Sequence, residues 1–454
     1  MPFSRVLVAN RGEIAVRIIR TCREMDLETV AVFSEADHDS SHVRLAGRSV
    51  CIGPAPAARS YLLPQVLVGV AKATGADAIH PGYGLLAENA EFAALCAEQG
   101  LVWIGPDARV IASMGDKAEA RRIAIEADVP VIPGSSGTFA TAAQARLAAA
   151  GIGYPVLLKA AAGGGGRGMR LVANDAALVP SFEEASSEAQ AAFRDGRLYL
   201  EKYLRDVRHI EVQILADAHG AVLHLGERDC SLQRRHQKLV EESPAPIDPL
   251  ERNLITEAAV RIARHTGYQG AGTVEFVFDR TTRAVYFIEV NCRIQVEHPV
   301  TECVTGIDIV REQLRIAQGE ALELSQGDVQ ARGHAIELRI NAEDPARNFL
   351  PMPGVLKEFT PPGGPGVRID THCRPGYAIP PYYDSLIAKL IVHAPDRNQA
   401  LARGRRALAE FEVGGVPTTI PFLARVLAHT DFIDNRVHTR WVEEEFIPTS
   451  RGEP

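Results

Sequence analysis

A run of four glycines within residues 159–170, KAAAGGGGRGMR, is the feature that most constrains the fold of this chain. The apolar stretch before it predicts a buried strand that ends at Lys159, and the stretch GMRLV after it predicts the next strand. The glycines therefore lie at the tip of a strand–loop–strand unit. A Walker A loop instead joins a strand to a helix and carries Gly-Lys-Ser or Gly-Lys-Thr, so the sequence argues against one.

The residues beside the glycines indicate what such a loop could bind. A backbone without Cβ atoms can bring its N–H groups close to an anion. Lys159 before the glycines and Arg167 after them add positive charge. We interpret the segment as a flexible lid over nucleotide phosphates. A solvated hairpin loop is the alternative that these residues leave open.

Three segments follow one another along the chain. Residues 1–114 open with a βαβ pattern and continue with short strands that end in Gly/Pro turns, which predicts a parallel α/β domain. Residues 115–330 contain many strands separated by turns, which predicts a mainly antiparallel α+β domain, and residues 133–203 would be its mobile lid. Residues 331–446 form a third predicted domain.

Composition excludes several classes of protein. The 454 residues carry a net charge of −8, which argues against nucleic-acid binding through bulk positive charge. The seven cysteines are odd in number and lack CxxC spacing, so we expect neither a disulfide framework nor a zinc knuckle. Because we find neither a signal peptide nor an uncharged apolar run of about 20 residues, we predict a cytoplasmic protein that does not enter a membrane.

The stretch EVNCRIQVE, residues 289–297, alternates polar and apolar side chains. If it is extended, its polar groups share one face. The preceding strand is joined to it by a hairpin-like connection, and centring the turn at Thr282 places Glu275 opposite Glu289. Two opposed carboxylates repel unless a cation lies between them. With the carbonyl oxygen of Asn291 they predict a Mg²⁺ site, while a solvated sheet face is the alternative.

Other charged stretches allow two interpretations each. Glu297 near Arg293 is either a salt bridge or a general base beside an anion-binding cation. The basic run 234–238 is either a charged loop or helix face, or an anion pocket. The stretch LYLEKYL is either an edge strand or a hinge for an adenine edge. Tyr382 to Asp384 predict a turn followed by a helix.

Eight motifs in order resemble the biotin carboxylase subunit of biotin-dependent carboxylases, in the form found in acetyl-CoA carboxylase. The resemblance covers residues 3–445 and implies an ATP-grasp fold, with an N-terminal parallel α/β domain and a C-terminal biotin carboxylase domain. The motifs are NRGEIAVRIIR, HPGYGLLAENA, MGDK, GGGGRGM, ERDCSLQRRHQK, RIQVEHPVTE, INAEDP and PPYYDSLIAKL.

The resemblance implies a role for each candidate residue. Those that would contact ATP are Lys117, Lys159, Gly165, Gly166, Glu201, Lys202, Tyr203, Leu204, His209, Gln233, His236, Glu275 and Glu289. Those that would hold Mg²⁺ or Mn²⁺ are Glu275, Glu289 and Asn291. Those that would bind bicarbonate are Lys238, Arg293, Gln295 and the backbone of Val296. Those that would bind biotin are Arg339, Tyr83 and Asp384. Those that would be catalytic are Arg293, Glu297, Lys238 and Arg339.

The implied reaction is the carboxylation of biotin with ATP and bicarbonate through carboxyphosphate. Glu297 would deprotonate bicarbonate, and Arg339 would face the biotin ureido oxygen. Two positions depart from the usual pattern, where Ala162 replaces a glycine and Cys292 a threonine. Ala162 would stiffen the root of the lid. Cys292 has the apolar parity, so we expect it to pack rather than react.

Partners and rival functions follow from the same resemblance. A biotin carboxyl carrier protein would present biotin, since the chain contains no Met-Lys dipeptide, and a carboxyltransferase subunit would receive the carboxyl group. The family also implies a homodimer, whereas the final carboxyl acceptor is not encoded in these motifs. Another ATP-grasp ligase, which joins an acyl phosphate to an amine, is the first alternative. A non-enzymatic nucleotide-sensing subunit is the second.

Overall fold

The N-terminal unit is a parallel sheet with helices between its strands. The computed structural model describes residues 3–135, 137–161 and 169–450. The strands of this unit are β1 Arg5–Val8, β2 Glu28–Phe33, β3 Arg48–Cys51, β4 Ala78–His80 and β5 Val102–Trp103. Its helices are α1 Gly12–Glu24, α2 Ser41–Leu45, α3 Pro64–Thr74, α4 Ala90–Glu98 and α5 Ala108–Gly115. The strand order is β3-β2-β1-β4-β5 and every pairing is parallel, which confirms the predicted α/β unit.

The central unit is built from antiparallel strands, as the sequence predicts. Its strands are β6 Val156–Ala160, β7 Arg170–Val172, β8 Leu198–Lys202, β9 Val207–Ala216, β10 Val222–Arg234, β11 Gln237–Ser243, β12 Gly270–Asp279 and β13 Val285–Asn291. Its helices are α6 Lys117–Glu126, α7 Ala142–Ile152, α8 Asp175–Phe193, α9 Pro249–Thr266, α10 His298–Thr305 and α11 Ile309–Ala317.

The C-terminal unit combines strands with four helices. Its strands are β14 His334–Asn341, β15 Glu343–Asp344, β16 Leu350–Pro351, β17 Gly354–Val355, β18 Glu358–Thr360, β19 Val367–Thr371, β20 Ala378–Ile379, β21 Leu386–Ala394 and β22 Glu412–Gly414. Its helices are α12 Arg397–Glu410, α13 Ile420–Ala428, α14 Thr430–Ile433 and α15 Ile447–Ser450. Across the described parts of all three units, no helix combines the length and the apolar character that a membrane span needs.

One eight-stranded sheet runs through both the central and the C-terminal units. Its order is β13-β12-β9-β10-β11-β14-β21-β19. The antiparallel pairing of β11 with β14 joins the two units, with Glu241 opposite Glu337. Side chains from the two units therefore share the same sheet face, although the sequence suggests separate domains. Packing of α1 against β19 brings the N-terminal unit onto this sheet.

The segment predicted to be a lid is a small sheet with its own apolar core. Strands β7, β6 and β8 pair in that order, and α7 and α8 pack on them. The core includes Leu158, Leu178 and Leu198, each fully buried. The antiparallel pairing of β6 with β7 confirms the strand–loop–strand unit. The loop itself, with Ala162, Gly165, Gly166 and Arg167, lies outside the described residues.

The prediction of a helix after Tyr382 to Asp384 is wrong. The chain instead enters strand β21, which lies between β14 and β19. Most of its side chains are buried, because α12 packs on one face of the sheet and α10 on the other. A strand covered on both faces reads as a continuous apolar run, and periodicity alone does not separate such a run from a buried helix.

Glu242 on β11 shows how this sheet stabilises a buried charge. Its carboxylate accepts hydrogen bonds from Nε2 of His334 at 2.8 Å and Nε of Arg397 at 2.6 Å. Burial raises the pKa of Glu242, but Arg397 and His334 outweigh it and lower the pKa to about 2. A carboxyl with a lowered folded-state pKa stabilises the fold above its unfolded-state pKa. That stability is lost as the pH falls from 4.5 towards 2.

We predict that Glu242→Gln lowers the free energy of unfolding at pH 7 by about 3 kcal/mol, the equivalent of this pKa difference. The difference between the two proteins should shrink as the pH falls below 4.5, because Glu242 then takes up a proton in the unfolded wild type, whereas the folded carboxyl stays ionised down to about pH 2. Urea unfolding at a series of pH values measures both quantities. A loss that is the same at pH 7 and pH 3 would contradict this explanation.

Candidate active site

The predicted opposition of two carboxylates is present on the outer strands of the large sheet. Strands β12 and β13 pair antiparallel with Glu275 directly opposite Glu289, which confirms the hairpin register. Burial and the charge of Glu275 both raise the pKa of Glu289. The nearest described cation is Nζ of Lys117, at 3.8 Å from Glu289. Repulsion between the two carboxylates is therefore only partly compensated by the described side chains.

Asn291 lies beside this pair, as predicted. Its amide nitrogen donates to Glu275 at 2.9 Å, and its amide oxygen accepts from Arg293 at 3.0 Å. Rotation of the amide by half a turn would direct the oxygen towards the carboxylates. The donor set of Glu275, Glu289 and Asn291 therefore consists of the oxygen ligands that Mg²⁺ prefers.

A single ammonium group joins three carboxylates at the centre of the sheet. Nζ of Lys238 lies 2.6 Å from Glu211, 2.6 Å from Glu297 and 3.1 Å from Glu275. We call these three residues the carboxylate cluster. All three are buried, and Lys238 is mostly buried. Neighbouring strands place two of them, because Glu211 on β9 is directly opposite Glu275 on β12.

Lys238 reaches the cluster from a hairpin rather than from a loop or a helix. The basic run 234–238 forms the tip of strands β10 and β11, with Arg235 and His236 at the turn. Both turn residues have positive φ and are exposed. The interpretation as a helix face is therefore wrong, whereas Arg235 and His236 form an exposed charged turn. Lys238 is on β11, and its side chain points into the cluster.

Arg228 is a second cation at this cluster, and the sequence analysis did not identify it. It is fully buried on β10, directly opposite Glu211. Its guanidinium donates to Glu211 at 2.5 Å and Gln213 at 2.9 Å, and also to the hydroxyls of Thr273 and Thr301. A charged residue within a strand is the only sequence signal, since its partners lie on other strands and on α10.

Glu297 is held between two cations. Arg339 donates to it at 2.9 Å and also forms an ion pair with Glu241 at 2.5 Å. Burial raises the pKa of Glu297, but Lys238, Arg339 and Arg228 outweigh it and hold the pKa well below its ordinary value. The carboxylate is therefore ionised at neutral pH. Of the two interpretations of Glu297, the ion pair with Arg293 is not formed.

The extended conformation predicted for residues 289–297 ends at Asn291. The carboxylate of Glu88 accepts from the backbone N–H of Cys292 at 2.9 Å and from Nε of Arg293 at 2.8 Å. These bonds turn the chain away from the sheet, so that Glu297 directly precedes α10. Cys292 is buried in the apolar core, as predicted from its parity.

The remaining bicarbonate candidates lie on this turn. Arg293 donates to the side-chain oxygen of Gln295 at 2.9 Å. Gln295 is buried, and its amide nitrogen faces Glu275 at 3.4 Å. The carbonyl of Val296 accepts from Nζ of Lys389 at 2.9 Å. The structure thus places Arg293, Gln295 and Val296 on the turn that leads to Glu297, and Lys238 in contact with Glu297 itself.

The nucleotide candidates divide between the lid and the large sheet. On the lid, Nζ of Lys159 on β6 is 2.5 Å from the Glu201 carboxylate on β8. The chain leaves β8 through Lys202, Tyr203 and Leu204, where the backbone N–H of Tyr203 donates to Pro155. Because these four residues connect the lid to β9, they occupy the position of a hinge.

On the large sheet, His209 contacts the metal candidates. Its Nε2 lies 3.0 Å from Glu275, and this charge raises the pKa of His209 against the lowering effect of its burial. Gln233 on β10 is buried, whereas His236 is exposed at the hairpin tip. His209, Glu211 and Glu275 have ligand atoms close enough to share one cation, a set that overlaps the predicted one only at Glu275.

The biotin candidates lie at the junction with the N-terminal unit. The hydroxyl of Tyr83 donates to Glu13 at 2.6 Å. Burial raises the pKa of Tyr83, the charges of Glu13 and Asp384 add to this, and Arg339 opposes it. Asp384 itself is exposed, 3.9 Å from Arg11. The effects of Asp384 and Arg339 on the pKa of Tyr83 place the three biotin candidates in one neighbourhood at this junction.

We predict that Lys238→Met lowers the free energy of unfolding at pH 7 by about 3–5 kcal/mol, because three buried carboxylates lose a shared cation. The loss should become smaller near pH 5, since raised pKa values then allow the carboxyls to take up protons. Chemical denaturation at both pH values measures it. A variant as stable as the wild type at pH 7 would show that the ammonium does not hold the cluster.

Comparison with known proteins gives matches over nearly the whole chain. The family described as "Biotin carboxylase, N-terminal domain" matches residues 2–111. The family described as "Carbamoyl-phosphate synthase L chain, ATP binding domain" matches residues 116–325. The family described as "Biotin carboxylase C-terminal domain" matches residues 337–444. The chain thus has the three-domain architecture with a central ATP-grasp domain.

Individual relatives agree with these matches. Biotin carboxylase 1 of Bacillus subtilis is 52% identical over 440 residues, covering 97% of this chain and 98% of its own. The structure of a Campylobacter jejuni biotin carboxylase–β,γ-ATP complex superposes with a TM-score of 0.94 and 48% identity over 97% of this chain and 98% of its own. The structure of the biotin carboxylase domain dimer of Hydrogenobacter thermophilus 2-oxoglutarate carboxylase contains MgADP, ADP and bicarbonate. It superposes with a TM-score of 0.93 and 50% identity over 98% of each chain. The chain belongs to the biotin carboxylase family.

Proposed function

We propose that this chain is an enzyme that carboxylates biotin with ATP and bicarbonate, through carboxyphosphate. One observation carries the proposal: Glu297 is a buried, ionised carboxylate that touches both Lys238 and Arg339, beside the opposed pair of Glu275 and Glu289. This arrangement combines a base, two cations for anionic substrates and ligands for a metal–nucleotide complex. The related structures that hold nucleotide and bicarbonate support the same assignment.

Glu297 would act as the general base on bicarbonate. Before bicarbonate binds, Lys238 and Arg339 keep Glu297 ionised. An ionised carboxylate becomes an effective base only when the pKa of its conjugate acid rises. Bicarbonate between Lys238 and Arg293 would compete with Glu297 for the Lys238 ammonium. Loss of that contact raises the basicity of Glu297 at the moment when a proton is available. The deprotonated substrate oxygen then attacks the γ-phosphorus of ATP, and ADP leaves.

The charge of the nucleotide would be met from two sides. Lys117 at the start of α6 and Lys159 on the lid supply ammonium groups for the phosphates. Glu275 and Glu289 would hold Mg²⁺ or Mn²⁺ with Asn291, because the two carboxylates oppose each other and Glu289 has only Lys117, at 3.8 Å, within ion-pair distance among the described side chains. When bound, the metal would neutralise charge on the phosphate oxygens. Excluding water would protect carboxyphosphate from hydrolysis.

The remaining nucleotide candidates would form the rest of the ATP site. Glu201, Lys202, Tyr203 and Leu204 would border the adenine at the hinge, with His209, Gln233 and His236 on the sheet side. Gly165 and Gly166 are proposed to close over the phosphates. Domain bounds of 1–114, 115–330 and 331–446 are part of this proposal.

Biotin would enter between the N-terminal and C-terminal units. Carboxyphosphate yields CO₂ and phosphate inside the closed site, and the phosphate takes the proton from N1′ of biotin. Arg339 then stabilises the negative charge that develops on the ureido oxygen. Tyr83 and Asp384 lie in the neighbourhood of Arg339 and would border the ring. Carbon dioxide is attacked by N1′, which completes the transfer.

The partners in this proposal are a biotin carboxyl carrier protein, a carboxyltransferase subunit and a second copy of the chain. A dimer is described for the Hydrogenobacter thermophilus relative. The motifs leave the final carboxyl acceptor open, and that relative belongs to a 2-oxoglutarate carboxylase. A cytoplasmic location stays a prediction.

We predict that ADP release by the purified protein depends on bicarbonate and is stimulated by free biotin. Glu297→Gln should lower this turnover by about 10²–10⁴-fold, because the amide keeps the shape of the base but accepts no proton. Glu227→Gln is the matched control. Glu227 is also buried, and its carboxylate accepts a hydrogen bond of 2.7 Å from Nε of Arg252, outside the carboxylate cluster.

Three results would contradict the proposal. Turnover without stimulation by biotin, but with stimulation by an amine, would favour the other ATP-grasp ligase. Unchanged turnover in Glu297→Gln would show that this residue is not the base, and nucleotide binding without any turnover would favour a sensing subunit. Loss in both Glu297→Gln and Glu227→Gln would indicate a general effect of removing a buried charge.

A further inference from the structure

The three units of the molecule meet at the ammonium group of Lys389. This residue lies on β21 of the C-terminal unit and is fully buried. Its Nζ is 2.9 Å from Glu13 Oε1, on α1 of the N-terminal unit. The same Nζ donates to the carbonyl of Val296, in the turn of the central unit, at 2.9 Å. Neither Lys389 nor Glu13 has a role in the reaction described above.

Each contact of this pair leads to a substrate-binding candidate. The carboxylate oxygen of Glu13 that meets Lys389 also accepts the hydroxyl of Tyr83, at 2.6 Å. Val296 is itself a bicarbonate candidate and directly precedes Glu297. Lys389 is paired in the sheet with Arg339, so both side chains project from the same face. One ion pair therefore contacts the turn that carries Val296 and, through Glu13, the biotin candidate Tyr83.

The surroundings of the pair show that its geometry is restricted. An ammonium group has three N–H donors in fixed directions. Two are used by Val296 and Glu13, and the next carboxylate is Asp370 at 3.8 Å. Asp370 is already bonded twice by Arg368. Glu13 is therefore the contact counter-ion of Lys389, and its position follows that of the ammonium.

Stability alone does not account for this arrangement. A buried ion pair often contributes no more to stability than apolar side chains of similar volume, because both charges lose their hydration. What the pair supplies is a fixed distance between groups on three units. A shift of about 1 Å in a substrate-positioning group can cost about 100-fold in rate.

We propose that the Lys389–Glu13 pair is a positioning element that fixes Tyr83 and the Val296 turn relative to each other, so that biotin and bicarbonate are held at one distance. The inference rests on the proposed function. Lys389 and Glu13 touch no substrate in this account and act through Val296 and Tyr83.

The test compares steady-state kinetics of Lys389→Met, the charge-balanced double variant Lys389→Met/Glu13→Gln, and the control Glu242→Gln. Glu242→Gln also alters a buried ion pair of the same sheet, but one that contacts His334 and Arg397 instead. We expect kcat/KM for free biotin to fall about tenfold or more and KM for bicarbonate to rise in both Lys389 variants. The KM for ATP should stay within about twofold of the wild type, and the control should keep all three KM values.

A second measurement holds even if Lys389→Met folds poorly. A double-mutant cycle between the charge-balanced variant and Tyr83→Phe should show strong non-additivity in kcat/KM for biotin. The reason is that both changes remove contacts to the same oxygen of Glu13. Additive effects would overturn the inference. So would unchanged KM values for biotin and bicarbonate, or a uniform loss that includes ATP. These results require an active wild type, whereas a wild type without biotin-dependent turnover would instead overturn the proposed function and remove the basis of the inference.

Discussion

The structure depends on the ability of a few buried cations to hold several carboxylates in one place. Lys238 lies within ion-pair distance of Glu211, Glu275 and Glu297 at once. Without such contacts, carboxyl groups at these depths would take up protons rather than remain charged. Burial therefore has two consequences here. It excludes water from the centre of the sheet, and it strengthens each remaining charge–charge interaction.

The continuous sheet is what makes this concentration of charge possible. Strands β9, β11 and β12 bring Glu211, Lys238 and Glu275 together from the central unit, and β14 adds Arg339 from the C-terminal unit. Side chains on one face of adjacent strands have fixed spacing, so the charges cannot move apart. At the edge of the sheet, Glu275 has cationic neighbours in Lys238 and His209, whereas the opposed Glu289 has only Lys117, at 3.8 Å, among the described side chains.

Local patterns predicted the parts of the site that lie within a hairpin. The register of Glu275 and Glu289 follows from the length of the connection between two strands. Cys292 is buried, as its parity predicts, although the strand ends one residue before it. The alternation stops at Asn291, because Glu88 from a distant helix–loop segment turns the chain there. The same limit explains β21. Its apolar run reflects cover on both faces, which depends on how the units pack.

Contacts between separate elements had no signal in the sequence. Arg228 is defined by partners on other strands and on α10 of its own unit, and Lys389 by partners in the other two units. A lone charged residue in a strand does not reveal either set. Motif resemblance supplied the candidate roles of Lys238, Glu297 and Arg339, but not the finding that they touch one another. Those contacts hold the pKa of Glu297 well below its ordinary value.

The most direct test of this account is the ionisation of Glu297 itself. Infrared spectra of the wild type minus those of Glu297→Gln, recorded in a pH series, isolate the stretching bands of this one carboxyl group. The account predicts carboxylate bands that persist from neutral pH to below 4.5, the ordinary pKa of a glutamate, because Lys238, Arg339 and Arg228 stabilise the anion. A protonated carbonyl band from Glu297 at pH 7 would contradict it.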